Sequence, residues 1–137
     1  MISTSVLHPM LVHFPIALII FGFLADISSV FFNKEVCLYR FGFYLLIFGT
    51  LAAVAAVLTG LLFTSEMSGT AGDVKETHEL FALITLGTLI VCLIFRIVLK
   101  IKDKENTDLK WIVFLLYGLA AISVSITGYY GGSLVYG

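Results

Sequence analysis

Four long apolar stretches constrain this chain more than any other feature of its sequence. They cover residues 11–32, 38–63, 80–99 and 111–130. Each has about 20 residues or more, enough for a helix to span the roughly 30 Å hydrocarbon core of a bilayer. Hydrocarbon offers no hydrogen-bond partners, so an apolar segment of this length crosses it as a helix. The sequence therefore predicts an all-α integral membrane protein, a bundle of four helices in a lipid bilayer.

The composition agrees with a membrane protein and excludes other classes. Of the 137 residues, 60% are hydrophobic and 12% are charged, and the mean hydropathy is +1.08, far from the usage of soluble domains. At this length we expect one domain, residues 1–137. The first stretch lacks a preceding basic segment and a cleavage site, so we expect a retained helix rather than a signal peptide. The absence of a basic patch argues against nucleic acid as a partner.

The distribution of lysine and arginine predicts the orientation of the four helices. Four spans return the chain to its starting side, so the N-terminus, the loop 64–77 and the C-terminus share one face, called face A. The loops 33–37 and 100–110 lie on the opposite face, called face B. Lys75 lies on face A, whereas seven basic residues lie on face B or on the helix ends entering it: Lys34, Arg40, Arg96, Lys100, Lys102, Lys104 and Lys110. Because basic loops stay in the cytoplasm, we expect face A and both termini to be periplasmic or extracellular.

The two halves of the chain resemble each other. Helices 1 and 3 both fit H-x-x-x-A-L-I-x-x-G-x-L, beginning at His13 and His78, an offset of 65. Helices 2 and 4 both fit L-A-A-x5-T-G at an offset of 68, ending in Thr59-Gly60 and Thr127-Gly128. A repeated unit of two helices keeps its orientation in the membrane. We therefore predict two helical hairpins related by a pseudo-two-fold axis along the membrane normal.

The three histidines all lie on face A, and they are the strongest candidates for a functional site. A histidine inside an apolar span is costly unless it is paired or ligated, and His13 and His78 are equivalent under the repeat. Two imidazoles facing each other across an axis suit bis-histidine haem ligation. The sequence predicts His13 and His78 as axial ligands of one haem b, with His8 as a further contact. Two pairs at similar depth are predicted to line the same cavity: Thr59-Gly60 and Thr127-Gly128.

Two other functions fit the same residues. The three methionines, Met1, Met10 and Met67, also lie on face A, and histidine with methionine is a ligand set for copper, with zinc as a further alternative. The third hypothesis has no cofactor and makes the chain a scaffold subunit of a larger membrane complex. In that case the glycines and alanines serve helix packing, their commoner role in membranes.

If the protein binds a single haem near face A, the choice of electron-transfer partners is limited. The face-B half has no histidine or methionine, so a second haem there has no usual axial ligand. Exchange with quinol or a periplasmic electron carrier therefore fits better than electron transfer across the whole membrane. Hydrolase and zinc-protease motifs are lacking, which favours an electron-transfer or binding protein over a stand-alone enzyme. The sequence leaves a homo-oligomer or a larger complex open.

Asp26 and the two cysteines lie in the face-B half. A carboxylate inside a membrane needs a partner or a proton, and Arg40 or Arg96 can supply the partner. We predict a structural ion pair, with a proton relay as the alternative. Cys37 and Cys92 lie away from the oxidising side, and we expect two buried or lipid-facing thiols.

Three parts of the sequence resemble a known family. They are H-P-M-L-V-H-F-P at residues 8–15, His78 in the centre, and G-G-S-L-V-Y at residues 131–136. Together they resemble family 2231 of the domains of unknown function, which contains small bacterial membrane proteins. The resemblance covers the whole chain and implies a four-helix protein of the bacterial inner (cytoplasmic) membrane. It marks His8, His13 and His78 as residues of the family pattern, and it implies no reaction.

Overall fold

Helices make up almost all of the protein in a computed structural model, which describes residues 4–32 and 36–137. The helices are α1 (Thr4–Leu11), α2 (His13–Phe31), α3 (Val36–Phe63), α4 (Thr70–Ile101) and α5 (Lys110–Tyr136). Neither described range contains a strand. Helices α1 and α2 form one apolar span, and with α3, α4 and α5 they make four helices long and apolar enough to cross a membrane. The predicted all-α fold with four spans is confirmed, while Lys34 and Met1 lie outside the described residues.

The helix of the first span is interrupted at Val12, between α1 and α2. Pro15 has no N–H to donate to the carbonyl of Leu11, and its ring crowds that carbonyl, which weakens the helix at this point. The chain stays close to helical, because the Val12 N–H donates to the carbonyl of His8 at 3.1 Å. Helix α1, which precedes this interruption, packs against α3 and brings His8 to the rest of the bundle.

Two helices are longer than the apolar stretches from which they were predicted. Helix α4 begins at Thr70 rather than near residue 80. Its first turns are polar, but Asp73 complements the positive end of the helix dipole, and Lys75 pairs with Glu79 one turn later (Nζ–Oε1 3.3 Å). Helix α5 likewise continues to Tyr136 instead of ending near residue 130. His78 consequently lies inside a helix and not at its start.

The spans pack as two hairpins, α2 with α3 and α4 with α5, and the hairpins meet where α2 contacts α5 and α3 contacts α4. Small residues let these helices approach closely. A methyl group on Gly22 would overlap the hydroxyl group of Tyr117, which is fully buried between the hairpins. The outward faces stay apolar and exposed, as at Phe21 (64%) and Leu115 (68%). Such faces suit contact with lipid tails.

The buried positions of the two hairpins correspond at offsets different from those of the sequence repeat. In α2 and α4 the offset is 70, as for Pro15 and Thr85, Ile19 and Leu89, Gly22 and Cys92, and Asp26 and Arg96. In α3 and α5 it is 71, as for Gly42 and Val113, Leu46 and Tyr117, and Ala53 and Val124. The repeated strings, at offsets of 65 and 68, do not mark equivalent buried positions. The predicted pseudo-two-fold symmetry stays a prediction.

Candidate functional site

A cavity of about 400 Å³ lies between the two hairpins near face A. All five helices contribute to its walls, which consist largely of apolar side chains and glycines. A few polar groups reach it, and they include His8, His13, Lys75, His78 and Glu79. An apolar cavity of this size with a small number of polar groups is typical of a binding site for a small molecule or cofactor.

His78 is fixed in the wall of this cavity by a hydrogen bond between α4 and α5. Its Nδ1 lies 2.9 Å from the backbone oxygen of Thr127. A carbonyl oxygen can only accept, so Nδ1 carries the proton and donates it. In the neutral ring, Nε2 is then the nitrogen with the free lone pair. Gly131 makes room for this ring, because a Cβ at that position would lie 3.0 Å from Cε1 of His78.

His8 is held in a similar way by α3. Its Nδ1 lies 3.2 Å from Oγ1 of Thr59, and that hydroxyl donates its own proton to the carbonyl of Ala56 at 3.0 Å. The hydroxyl oxygen therefore accepts from His8, which again places the proton on Nδ1 and leaves Nε2 free. Gly60 gives space to the ring, since a Cβ there would lie 3.0 Å from Cε1 of His8.

The rings of His8 and His78 are neighbours in the wall of the cavity. Their centroids are 6.0 Å apart, and their planes are nearly perpendicular, at 84°. One ring comes from α1 and the other from α4, and each is anchored through Nδ1 to the helix beside it. Two imidazoles with free Nε2 atoms are thus brought to one place by three separate spans and the α5 backbone.

His13 has a different environment from the one predicted. It also lines the cavity, but its side chain is exposed, and its Nδ1 lies 2.7 Å from the backbone oxygen of Pro9. It therefore donates to a backbone carbonyl of α1. Among the described residues, the ring that contacts His78 is that of His8.

The two threonine-glycine pairs lie at the site, with unequal roles. Thr59 binds His8 through its hydroxyl group, and Thr127 binds His78 through its carbonyl. Gly60 lies under the His8 ring, whereas a Cβ on Gly128 would meet Cδ1 of Ile16 at 3.0 Å. Gly128 is therefore a packing contact that also lines the cavity. The sequence reasoning missed Gly131, which belongs to the closing G-G-S-L-V-Y string and lies one turn beyond Thr127.

Lys75 and Glu79 bring charge to the cavity. The Lys75 side chain is only 13% exposed and lies 3.3 Å from the Glu79 carboxylate, which is 44% exposed. Met67 lines the same cavity, while Met10 is about half exposed. Within the described residues, no group of three or more His, Cys, Asp or Glu side chains is placed to hold a metal ion. The ligand set usual for zinc is therefore not assembled in that part of the chain.

A second polar cluster lies toward face B. The Arg96 guanidinium donates to both Asp26 carboxylate oxygens, at 2.5 and 2.9 Å, and to the carbonyl of Tyr39 at 2.9 Å. Arg96 and Asp26 are fully buried, whereas Arg40 is exposed. The predicted ion pair is confirmed, with Arg96 as the partner. Both thiols are free, that of Cys37 exposed and that of Cys92 buried.

The comparison with known proteins agrees with this architecture. No curated protein and no solved structure matches the chain. One family model, described as "Predicted membrane protein (DUF2231)", matches residues 4–137. The match includes all three histidines and both hairpins, and it bears out the resemblance found in the sequence. The chain therefore belongs to the DUF2231 family of membrane proteins.

Proposed function

We propose that this protein binds one b-type haem in the face-A cavity, with His8 and His78 as axial ligands, and takes part in electron transfer. The observation that carries the proposal is the pair of imidazoles at the cavity wall, each with Nε2 as its unprotonated nitrogen, whose ring centroids are 6.0 Å apart. The ligand pair predicted from the sequence was His13 and His78. His8 replaces His13 in the proposal because it is the histidine adjacent to His78.

The separation of the two rings fits ligation of one metal ion. Two imidazoles on opposite sides of an ion, each with a metal–nitrogen distance of about 2.0 Å, have ring centroids roughly 6 Å apart. Metal-binding histidines also usually donate Nδ1–H to a neighbouring acceptor, which fixes the tautomer and the ring orientation. Both rings already have such an acceptor, Thr59 for His8 and Thr127 for His78. The apolar walls suit a macrocycle and keep water from it.

The charge distribution supports an orientation for this site. Apart from Lys75, the described Lys and Arg residues lie on face B or on the helix ends that enter it. Basic segments of membrane proteins stay in the cytoplasm. We therefore place the cavity on the periplasmic side of the bacterial inner membrane. A haem bound there supplies one-electron chemistry, and quinol or a periplasmic electron carrier can reach that side. The chain's own groups hold and orient the cofactor and exclude water.

Optical spectra test the proposal and the choice of ligands together. Wild-type protein, purified in detergent from haem-sufficient cells, is compared with His8→Ala, His78→Ala and the matched control His13→Ala, oxidised and reduced with dithionite. We expect a Soret band with sharp reduced α and β bands in wild type and His13→Ala, and their loss in the other two. A featureless spectrum from folded wild type contradicts haem binding. Loss in His13→Ala but not in His8→Ala would restore the pair predicted from the sequence.

A copper ion is the second candidate, and Met67 is the observation that favours it. Its thioether belongs to the same cavity as His8 and His78, and imidazole with thioether is a ligand set that copper accepts. Metal analysis of the same preparations separates the two candidates. Stoichiometric copper that is lost in Met67→Ala, without a Soret band, would replace the haem proposal. If the folded protein contains neither haem nor copper, the remaining hypothesis is a scaffold subunit of a larger membrane complex.

A further inference from the structure

We infer that Lys75 anchors a carboxylate group of the bound cofactor, a haem propionate, at the face-A mouth of the cavity. This inference rests on the proposed haem function and extends it by naming the residue that recognises the acidic edge of the ligand. Lys75 is then a determinant of ligand specificity, and Glu79 is the group that holds its side chain before the ligand arrives.

The position of Lys75 along α4 fits this role. Lys75 precedes His78 by three residues, so the two side chains lie on the same face of the helix, and both line the cavity. Three residues correspond to about 4.5 Å along the helix axis, and the displacement is toward face A. A macrocycle held at His78 would therefore turn its acidic edge toward face A, where water and Lys75 are available.

The environment of the ammonium group also suits a second anionic partner. The Lys75 side chain is largely withdrawn from solvent, at 13% exposure, and Glu79 meets it through one contact of 3.3 Å. An ammonium group has three donors, and a charge taken out of water is costly unless it is well paired. Glu79 is 44% exposed, so its carboxylate can return to water when another anion takes its place.

The distribution of charge in the sequence makes Lys75 the natural choice for this contact. The chain contains eight Lys and Arg residues, and the sequence assigns the other seven to face B or to the helix ends that enter it. Arg96, the basic residue buried deepest among them, already pairs with Asp26. An acidic ligand in the face-A cavity therefore meets one lysine, and that lysine is three residues from a proposed axial ligand.

The experiment compares haem b with its dimethyl ester, in which both propionates are neutral. Detergent-purified apoprotein is titrated with each compound, and the Soret band reports both affinity and bis-histidine ligation. Wild type is compared with Lys75→Gln, with Lys75→Arg as the charge-conserving variant and with Lys100→Gln as a control at the other end of α4. We expect Lys75→Gln to bind haem about tenfold more weakly, the effect of losing one charge-assisted hydrogen bond, and to bind the ester as wild type does.

The other variants sharpen the result. Lys75→Arg should keep most of the preference for haem over the ester, and Lys100→Gln should keep all of it. Glu79→Gln removes the competing carboxylate and should tighten haem binding. Equal weakening of haem and ester in Lys75→Gln, or no change in either, would overturn the role of Lys75 while leaving the haem site intact. Wild-type apoprotein that gives no bis-histidine spectrum with either compound would overturn the proposed function itself.

Discussion

Removing Arg96 should be among the most destabilising single changes in this protein. In Arg96→Met the side chain keeps similar length but loses its charge, and Asp26 stays behind as a fully buried carboxylate without its partner. Removing one member of a buried ion pair costs about 3–5 kcal/mol in soluble proteins. The carbonyl of Tyr39 also loses the donor that lies 2.9 Å away.

In a membrane, the expected loss of stability is smaller than in a soluble protein. Polar contacts between membrane helices average about 0.6 kcal/mol in measured cases, because the unfolded chain in the bilayer finds other partners. The pair here is bidentate and completely buried, so the cost of an unpaired Asp26 dominates. We expect Arg96→Met to lower the free energy of unfolding by about 3 kcal/mol, the lower end of the range for buried pairs.

A second variant separates the cost of an unpaired charge from the value of the pair. In the double variant Asp26→Leu with Arg96→Met, both charges are replaced by apolar side chains, and such replacements are often neutral or stabilising. We expect its stability to lie within about 1 kcal/mol of wild type. Arg40→Met, at an exposed arginine toward the same end of the bundle, serves as the control and should stay close to wild type.

Reversible unfolding in mixed detergent micelles, followed by circular dichroism, measures these differences. Protein from cells grown without added haem is used for all variants, so that cofactor binding does not contribute to stability. If Arg96→Met is as stable as wild type, the guanidinium does not compensate Asp26 as the contacts imply. If the double variant is no more stable than Arg96→Met, the loss comes from packing rather than from the unpaired carboxylate.

Two further predictions use glycines, each with a matched control elsewhere in the bundle. Gly22→Ala places a methyl group against the hydroxyl group of Tyr117, and the overpacking should lower the free energy of unfolding by about 1–3 kcal/mol in the same micelle assay. In Gly87→Ala, no described atom lies within 4 Å of the new methyl group, and stability should stay equal or rise. Gly131→Ala pushes on the α4 imidazole at 3.0 Å and should weaken the proposed haem binding in a Soret titration, whereas Gly87→Ala, which lies outside the cavity lining, should not. Unchanged stability in Gly22→Ala, or equal haem affinity in the Gly131 and Gly87 variants, would contradict the packing described.

The number of membrane spans and their helical form were predictable because the bilayer imposes them. A segment of about 20 apolar residues has one way to satisfy its backbone in hydrocarbon. Helix ends were less predictable, since hydropathy measures affinity for lipid and not helix formation. The polar first turns of α4 show the difference: Asp73 and the Lys75–Glu79 pair stabilise a helix that extends into the aqueous side.

The candidate site was predicted in part. The structure brings His78 and the T-G pairs predicted from the sequence to one cavity, and Thr59 and Thr127 supply the groups that hold the two rings. The sequence assigned His13 as the partner, because matches of alanine, leucine and isoleucine at an offset of 65 made it equivalent to His78. Those residues are common in membrane helices and report little about contact. The contact of His8 with His78 depends on the packing of α1 against α3, which no local pattern reveals.

A single offset links the polar contacts at the two ends of the bundle. His8 and His78 differ by 70 residues, as do Asp26 and Arg96, so the first span and α4 run parallel with one alignment. The two contacts are separated by 18 residues along the first span and by 18 residues along α4. This is about 27 Å at 1.5 Å per residue, close to the thickness of the hydrocarbon core. Between them the stripes that face inward are largely apolar. A slip of one helix by a single turn would leave Asp26 and Arg96 unpaired in hydrocarbon and would move His8 away from His78. The ion pair toward face B therefore helps to hold the imidazoles of face A in the alignment on which the proposed haem site depends.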